Sequence, residues 1–193
     1  NVIYKVDGEE YKVIPSAYGS EIILIDAPVK EGHTFSGWSE APATMPAEDV
    51  VIEGTFTVNN YTVTYLVDGE VYATETVAYG SAITLLEEPT KEGYTFSGWS
   101  EVPATMPAED VVIEGSFTVN TYNVIYKVDG EEYKVVPVVY GSEIVLIDAP
   151  VKEGHTFSGW SEAPATMPAS DITIEGSFTV NSYNVIYKVD GEE

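Results

Sequence analysis

The side chains that could carry chemistry are few, and they recur at a fixed interval. Histidine stands only at His33 and His155, and the equivalent position between them is Tyr94. A triad or a zinc centre needs several convergent donors, so each imidazole reads as a partly exposed ring beside a turn. Glu48-Asp49 is an acidic pair, but the third copy carries Ser170-Asp171 in its place. Hydrolysis by paired carboxylates needs two acids facing each other across a cleft, not neighbours on one loop. Asp49, Asp110 and Asp171 read instead as caps of a local turn. Asp7-Gly8-Glu9-Glu10 lacks the ligand spacing of a calcium loop. Lys30, Lys91 and Lys152 sit in KEG turn signals, where exposure is the natural reading. A Lys–Asn cross-link is the alternative there, and each link would lose one ammonia. With no cysteine, thiol and disulfide chemistry are excluded. The expectation is no catalytic set, no cofactor and no metal, hence no enzyme.

Three tryptophans remain as candidate binding residues: Trp38, Trp99 and Trp160. Aromatic rings suit sugar-binding and protein-binding platforms. In a domain with a small core the same rings are favoured as core residues. Tyr61, Tyr122 and Tyr183, at the joints between copies, read as packing between domains.

The positioning elements come from one unit written three times. KEGHTFSGWSEAPATMPAEDVVIEG, from Lys30, returns from Lys91 and again from Lys152 with few changes. The copies are residues 1–61, 62–122 and 123–183, and 184–193 reproduces the first ten residues as the first strand and turn of a partial fourth. A unit of this length closes a small, marginal core of its own.

Within a unit, Val2, Tyr4 and Val6 alternate with Ile3 and Lys5, which marks a half-buried strand. Asp7-Gly8 predicts a hairpin, because the turn needs positive φ. Tyr18-Gly19-Ser20 is a second break. Glu21 to Ile25 predicts a short strand or one helical turn, followed by loop to Gly32. Phe35 and Trp38, three apart, predict a bulge at Ser36-Gly37 that turns both rings inward. Ala41 to Asp49 carries two prolines and reads as loop, with Met45 tucked in as filler. Val50, Ile52, Phe56 and Val58 predict one final strand. No segment has sustained helical periodicity. The joints, such as Asn59-Asn60-Tyr61, are too short and too poor in Gly and Ser to be free coils. Closely coupled small β domains in line would form an elongated rod on the order of 100 Å.

The order YTVTYLVDGE, TVAYGSAI, EPTKEGYTFSGW and VVIEGSFTVN, between Tyr61 and Asn120, resembles the Listeria–Bacteroides repeat, or internalin B-repeat. VDGEE stands here where many members carry a DxxGG-like turn, and PATMPAEDVVIEGSFTVN replaces an aromatic-rich last strand. The resemblance covers all three copies. It implies a mostly β, ubiquitin-like or β-grasp-related domain of four to five short strands with little helix, repeated in tandem on a bacterial surface. The family shares no catalytic residues, so the resemblance carries none over.

Net charge is −24, a field that repels nucleic acid and anionic membranes and keeps neighbouring domains apart. No apolar run reaches the length of a membrane span, and no signal peptide is visible. The chain starts and stops within a repeat, which reads as an excerpt. The expected function is a stalk or spacer of a bacterial cell-surface, wall-associated or secreted adhesin, projecting another domain from the cell. The alternatives are a weak multivalent module for a host or neighbouring-cell protein or glycan, and a self-assembling fibre segment. A monomer is expected, with end-to-end or edge pairing as the route to self-association.

Overall fold

The computed structural model describes residues 1–191. Each copy contributes five short strands, and no helix occurs among the described residues. The first copy holds β1 (Val2–Val6), β2 (Glu9–Ile14), β3 (His33–Phe35), β4 (Val50–Gly54) and β5 (Phe56–Val58). The second holds β6 (Asn60–Val67), β7 (Glu70–Ala78), β8 (Tyr94–Phe96), β9 (Val111–Gly115) and β10 (Phe117–Val119). The third holds β11 (Thr121–Val128), β12 (Glu131–Val139), β13 (His155–Phe157), β14 (Ile172–Gly176) and β15 (Phe178–Val180).

Every copy builds a three-stranded sheet with its first strand central, in the order β2-β1-β4, β7-β6-β9 and β12-β11-β14. The hairpin partner is antiparallel and the other partner parallel, with Val2 opposite Val50 and Tyr4 opposite Ile52. A parallel pair needs a long crossover. In a β-grasp domain a helix would make it, but here residues 15–49 return to β4 without a helix, with only the short strand β3 among them. Glu21 to Ile25 is neither strand nor helical turn; a bridge from Glu21 to Thr44, the Ile22 N–H donated to the Ala43 carbonyl at 3.0 Å and the Trp38 indole N–H donated to the Ile25 carbonyl hold it. Its apolar residues are not consecutive in space: Ile22 and Ile25 pack on the core while Ile23 faces solvent.

Asp7 and Gly8 both have positive φ, 53° and 85°, the primed turn that a tight hairpin requires. A bulge falls just before it, between Tyr4 and Lys5, and recurs at Tyr65/Leu66 and Tyr126/Lys127. The predicted bulge at Ser36-Gly37 is instead the end of β3, where Gly37 turns at φ 83°. The outcome for the rings is the one expected: Phe35 and Trp38 meet edge to face at 4.9 Å.

The single last strand is in fact two. β4 stays in the three-stranded sheet, and β5 leaves it to pair with β3. The cause is polar. The Asp7 carboxylate accepts the Phe56 N–H at 2.8 Å, and Ser36 Oγ accepts the Thr55 N–H at 2.9 Å. These side chains take the amide hydrogens that would have continued the ladder.

The cores are small and follow the period-2 pattern. Val2, Tyr4, Met45, Val50 and Ile52 are buried in the first copy. Val63, Tyr65, Met106 and Ile113 repeat this in the second, and Val124, Tyr126, Met167 and Ile174 in the third. Met45, from the loop before β4, is buried in the same cluster as Tyr4 and fills that core.

The described residues form two compact units. One contains Asn1–Glu87 and Gly98–Ser116, and the other contains Glu88–Ser97 with Phe117 onward. The first unit thus holds the sheets of copies one and two with the β3–β5 ribbon. The second holds the β8–β10 ribbon and both sheets of copy three.

Candidate functional site

Two recurring features have the geometry of a site: the tryptophan wall and the joint. Trp38 is half-buried at the edge of the first core. Its indole N–H donates to the Ile25 carbonyl at 2.9 Å, and its ring meets Tyr4 edge to face at 4.9 Å. Tyr11, from the exposed hairpin strand β2, covers it at 6.2 Å. Trp99 and Trp160 repeat the arrangement, donating to Leu86 at 3.0 Å and Ile147 at 2.9 Å. The polar handle of each indole is thus spent on the chain itself, and one ring surface closes the core. Beside Trp160 lies an open groove of about 540 Å³, lined among others by Asp129, Ser158, Ser161, Glu175 and Ser177. Hydroxyls and carboxylates around an aromatic edge suit a polar, hydroxyl-bearing ligand held weakly.

The joint is built from residues that the sequence left as punctuation. β5 runs through Asn59 directly into β6, and β7 extends to Ala78 to pair with Asn60. The Asn59 N–H donates to the Gly32 carbonyl at 2.8 Å, and the Tyr79 N–H donates to the Asn59 carbonyl at 2.9 Å. Tyr79 then lies where a β-carbon on Gly32 would have to go. Its ring sits edge-on to His33 at 5.9 Å. Within the second unit Tyr140, Gly93, Tyr94 and Asn120 repeat this: Asn120 N–H to Gly93 O at 2.8 Å, and Tyr140 N–H to Asn120 O at 2.9 Å. Tyr61 and Tyr122, expected to pack between domains, instead pack onto the core of the copy that follows them. Tyr183 is exposed. The missed signal was the recurrence of Tyr-Gly at 18, 79 and 140 against Lys-Glu-Gly at 30, 91 and 152.

The remaining polar candidates have structural partners. His33 Nδ1 lies 2.8 Å from the Glu31 carbonyl, and His155 Nδ1 lies 2.8 Å from that of Glu153. Asp110 and Asp171 do not cap a local turn. They reach across their copy to accept the N–H of Thr62 and of Asn123, both at 2.7 Å. Asp49 makes the same contact to the Asn1 nitrogen in the first copy. Lys30, Lys91 and Lys152 stand over the rings of Phe56, Phe117 and Phe178, each at 5.5 Å. No three His, Asp or Glu side chains converge on a metal position among the described residues. Tyr65 is fully buried. Burial raises its phenol above the ordinary value, Glu75 adds to that, and its hydroxyl donates to the Thr84 carbonyl at 3.2 Å.

Relatives were found by sequence. Internalin H of Listeria monocytogenes is 35% identical over 141 residues, which is 63% of this chain and 25% of that protein. A protein of Evansella cellulosilytica, provisionally named a membrane protein, is 28% identical over 209 residues, 93% of this chain and 32% of its own length. A second from that organism, provisionally named a Gly-rich membrane protein, is 28% identical over 213 residues, 95% of this chain and 25% of its own. The chain therefore spans at most about a third of the curated relatives it matches. No helix among the described residues is long and apolar enough to cross a membrane. A family model matches at residues 1–57, 61–118 and 122–182, once per copy, and with it the chain belongs to the Listeria-Bacteroides repeat domain family.

Proposed function

We propose that these repeats are structural spacers of a bacterial cell-surface or secreted protein of adhesin type, holding a functional domain away from the cell, and that they are not catalytic. The observation that carries this reading is the joint. A spacer must transmit position, and here the connection is a paired strand with a tyrosine seated on a glycine, not a coil. The internalin and the two provisionally named membrane proteins among the relatives support a surface location. The acidic charge supports close spacing of many copies without adhesion between them. Small-angle X-ray scattering on arrays of one to five copies tests it. Maximum dimension should rise by a constant increment per copy, and a dimension that plateaus would rule the spacer out.

A second reading, weak multivalent binding of a glycan or host protein, is favoured by the groove beside Trp160. Tandem sites add avidity without new contacts. Glycan-array binding by the full chain, lost in a Trp38→Leu, Trp99→Leu, Trp160→Leu variant that still folds, would separate this from a pure spacer.

A further inference from the structure

The outer strand of each three-stranded sheet is written on one template. Residues 9–17 read EEYKVIPSA, β7 reads EVYATETVA and β12 reads EEYKVVPVV. An outer strand presents unpaired N–H and C=O groups, and charges, lysine above all, and proline keep other strands from adding to it. The first and third copies carry both guards, as Lys12 and Lys134 and as Pro15 and Pro137. The second carries neither, with Ala73 and Thr76 in their places. Val71 also stands where the other copies have Glu10 and Glu132.

The register of β7 shows which of its groups face outward. On the β9 side of β6, the Asp68 N–H donates to the Gly115 carbonyl, and the Thr62 N–H donates to the Asp110 carboxylate. Backbone groups alternate in side along a strand, so Tyr61, Val63 and Tyr65 turn theirs toward β7, to Val77, Glu75 and Ala73. The Tyr79 N–H on the Asn59 carbonyl continues that series. Thr74 and Thr76 therefore direct their N–H and C=O away from β6. Both residues are exposed, and β7 pairs with β6 alone among the described residues. In β12, Pro137 lies opposite Asn123 as Thr76 lies opposite Thr62. The N–H that Pro137 lacks is thus an outward one, a change that leaves the sheet intact and closes its edge.

The side chains of β7 add a charge. Ala73 and Val77 pack on the core, and Glu75 stands between them, where Ile14 and Val136 stand in the other copies. Glu75 is half-buried opposite the fully buried Val63 and forms no ion pair among the described residues. The lysine that flanks this position in the other copies is missing here, so a cation can reach the carboxylate from the open side of the sheet.

We propose that β7 accepts an extended, basic segment of another protein as a fourth strand of the second sheet. The backbone of that segment bonds to the N–H and C=O groups of Thr74 and Thr76. A lysine or arginine lies opposite Glu75. Apolar side chains two residues to either side of it lie beside Ala73 and Val77, on the same face. The net charge of −24 draws in a basic segment and repels a second copy of this chain. The site shares no residue with the groove beside Trp160, and it stands whether or not the repeats act as spacers.

The test uses the capped peptide Thr-Val-Thr-Lys-Thr-Val-Thr, whose pattern is the same in either direction. It is titrated into the isotope-labelled full chain and followed by NMR. The amide resonances of Thr74 and Thr76 should shift and gain protection from hydrogen exchange, while those of Val13 and Val135 stay in place. The same peptide with glutamate for lysine should bind about tenfold more weakly, since a like charge then lies opposite Glu75. Glu75→Gln should bind the two peptides alike. Thr76→Pro should weaken the lysine peptide by about tenfold or more, because an edge donor is lost. That variant folds, since Pro137 holds the same place in β12. No shift at Thr74 and Thr76, undiminished binding by Thr76→Pro, or equal binding of the two peptides by the parent chain overturns the proposal.

Discussion

Tyr79 occupies the space that a β-carbon on Gly32 would need, and Tyr140 does the same at Gly93. Gly154 has the same sequence neighbours as Gly32 and a similar φ, 70° against 66°, but nothing above it. The pair separates two costs of adding one methyl group. Gly154→Ala should cost about 1–2 kcal/mol of left-handed backbone strain. Gly32→Ala should cost a further ~1–3 kcal/mol, because the tyrosine must shift as well. Native-state hydrogen exchange at the Tyr79 N–H should rise in the second variant and stay unchanged in the first.

Asp7 has two tasks, a positive-φ corner and a carboxylate that holds the Phe56 N–H. Asp7→Asn keeps both in outline and should cost less than about 1 kcal/mol. Asp7→Ala loses both and should cost roughly 2–4 kcal/mol, combining strain with an unmet amide. Equal midpoints for the two variants in urea titration would show that the carboxylate does not hold β5 in place.

Ile52→Ala removes a fully buried side chain from a small core and should cost about 2–5 kcal/mol. That is enough to unfold a unit of marginal stability. Val51→Ala, one residue away on the exposed face, should stay within about 0.5 kcal/mol of the parent. Trp38 fluorescence should report the loss in the first variant, since its ring borders that core.

Tyr65 gives the second copy an alkaline limit. Its folded phenol is raised by burial, and the unfolded phenol ionises near 10, so the unfolded chain sheds its proton first. The stabilisation is complete below about pH 10 and is lost as pH rises from there through the folded value. Tyr65→Phe should flatten the fall in stability as pH rises above about 10, where the unfolded phenol ionises first. Thermal melts at intervals across that range would show it.

What could be read from the sequence was what local pattern controls. Asp7-Gly8 declared its hairpin, Val2 and Tyr4 their inward face, and Met45 its place in the core. The choice of core for Trp38 rested on domain size, and the half-buried indole with its N–H bound to Ile25 shows both sides of that choice. Patterns that depend on a distant partner were illegible. Alternation from Val50 to Val58 is unbroken on paper, and it is the Asp7 carboxylate, folded back from the first hairpin, together with the Ser36 hydroxyl that splits it into β4 and β5. Asp110 looked like a local cap because its partner, Thr62, lies at the far end of the copy. Tyr79 looked like punctuation because the glycine it covers belongs to the previous copy.

The offset between the written unit and the compact unit has a consequence for inheritance. The cut between compact units passes through the second copy, not between copies. Each joint is nonetheless specified by the same few letters in every copy. A genetic crossover between corresponding points of two copies, wherever it falls, therefore restores an intact glycine and tyrosine pairing on both sides. Copy number can lengthen or shorten in one event, and no selection for a particular breakpoint is needed.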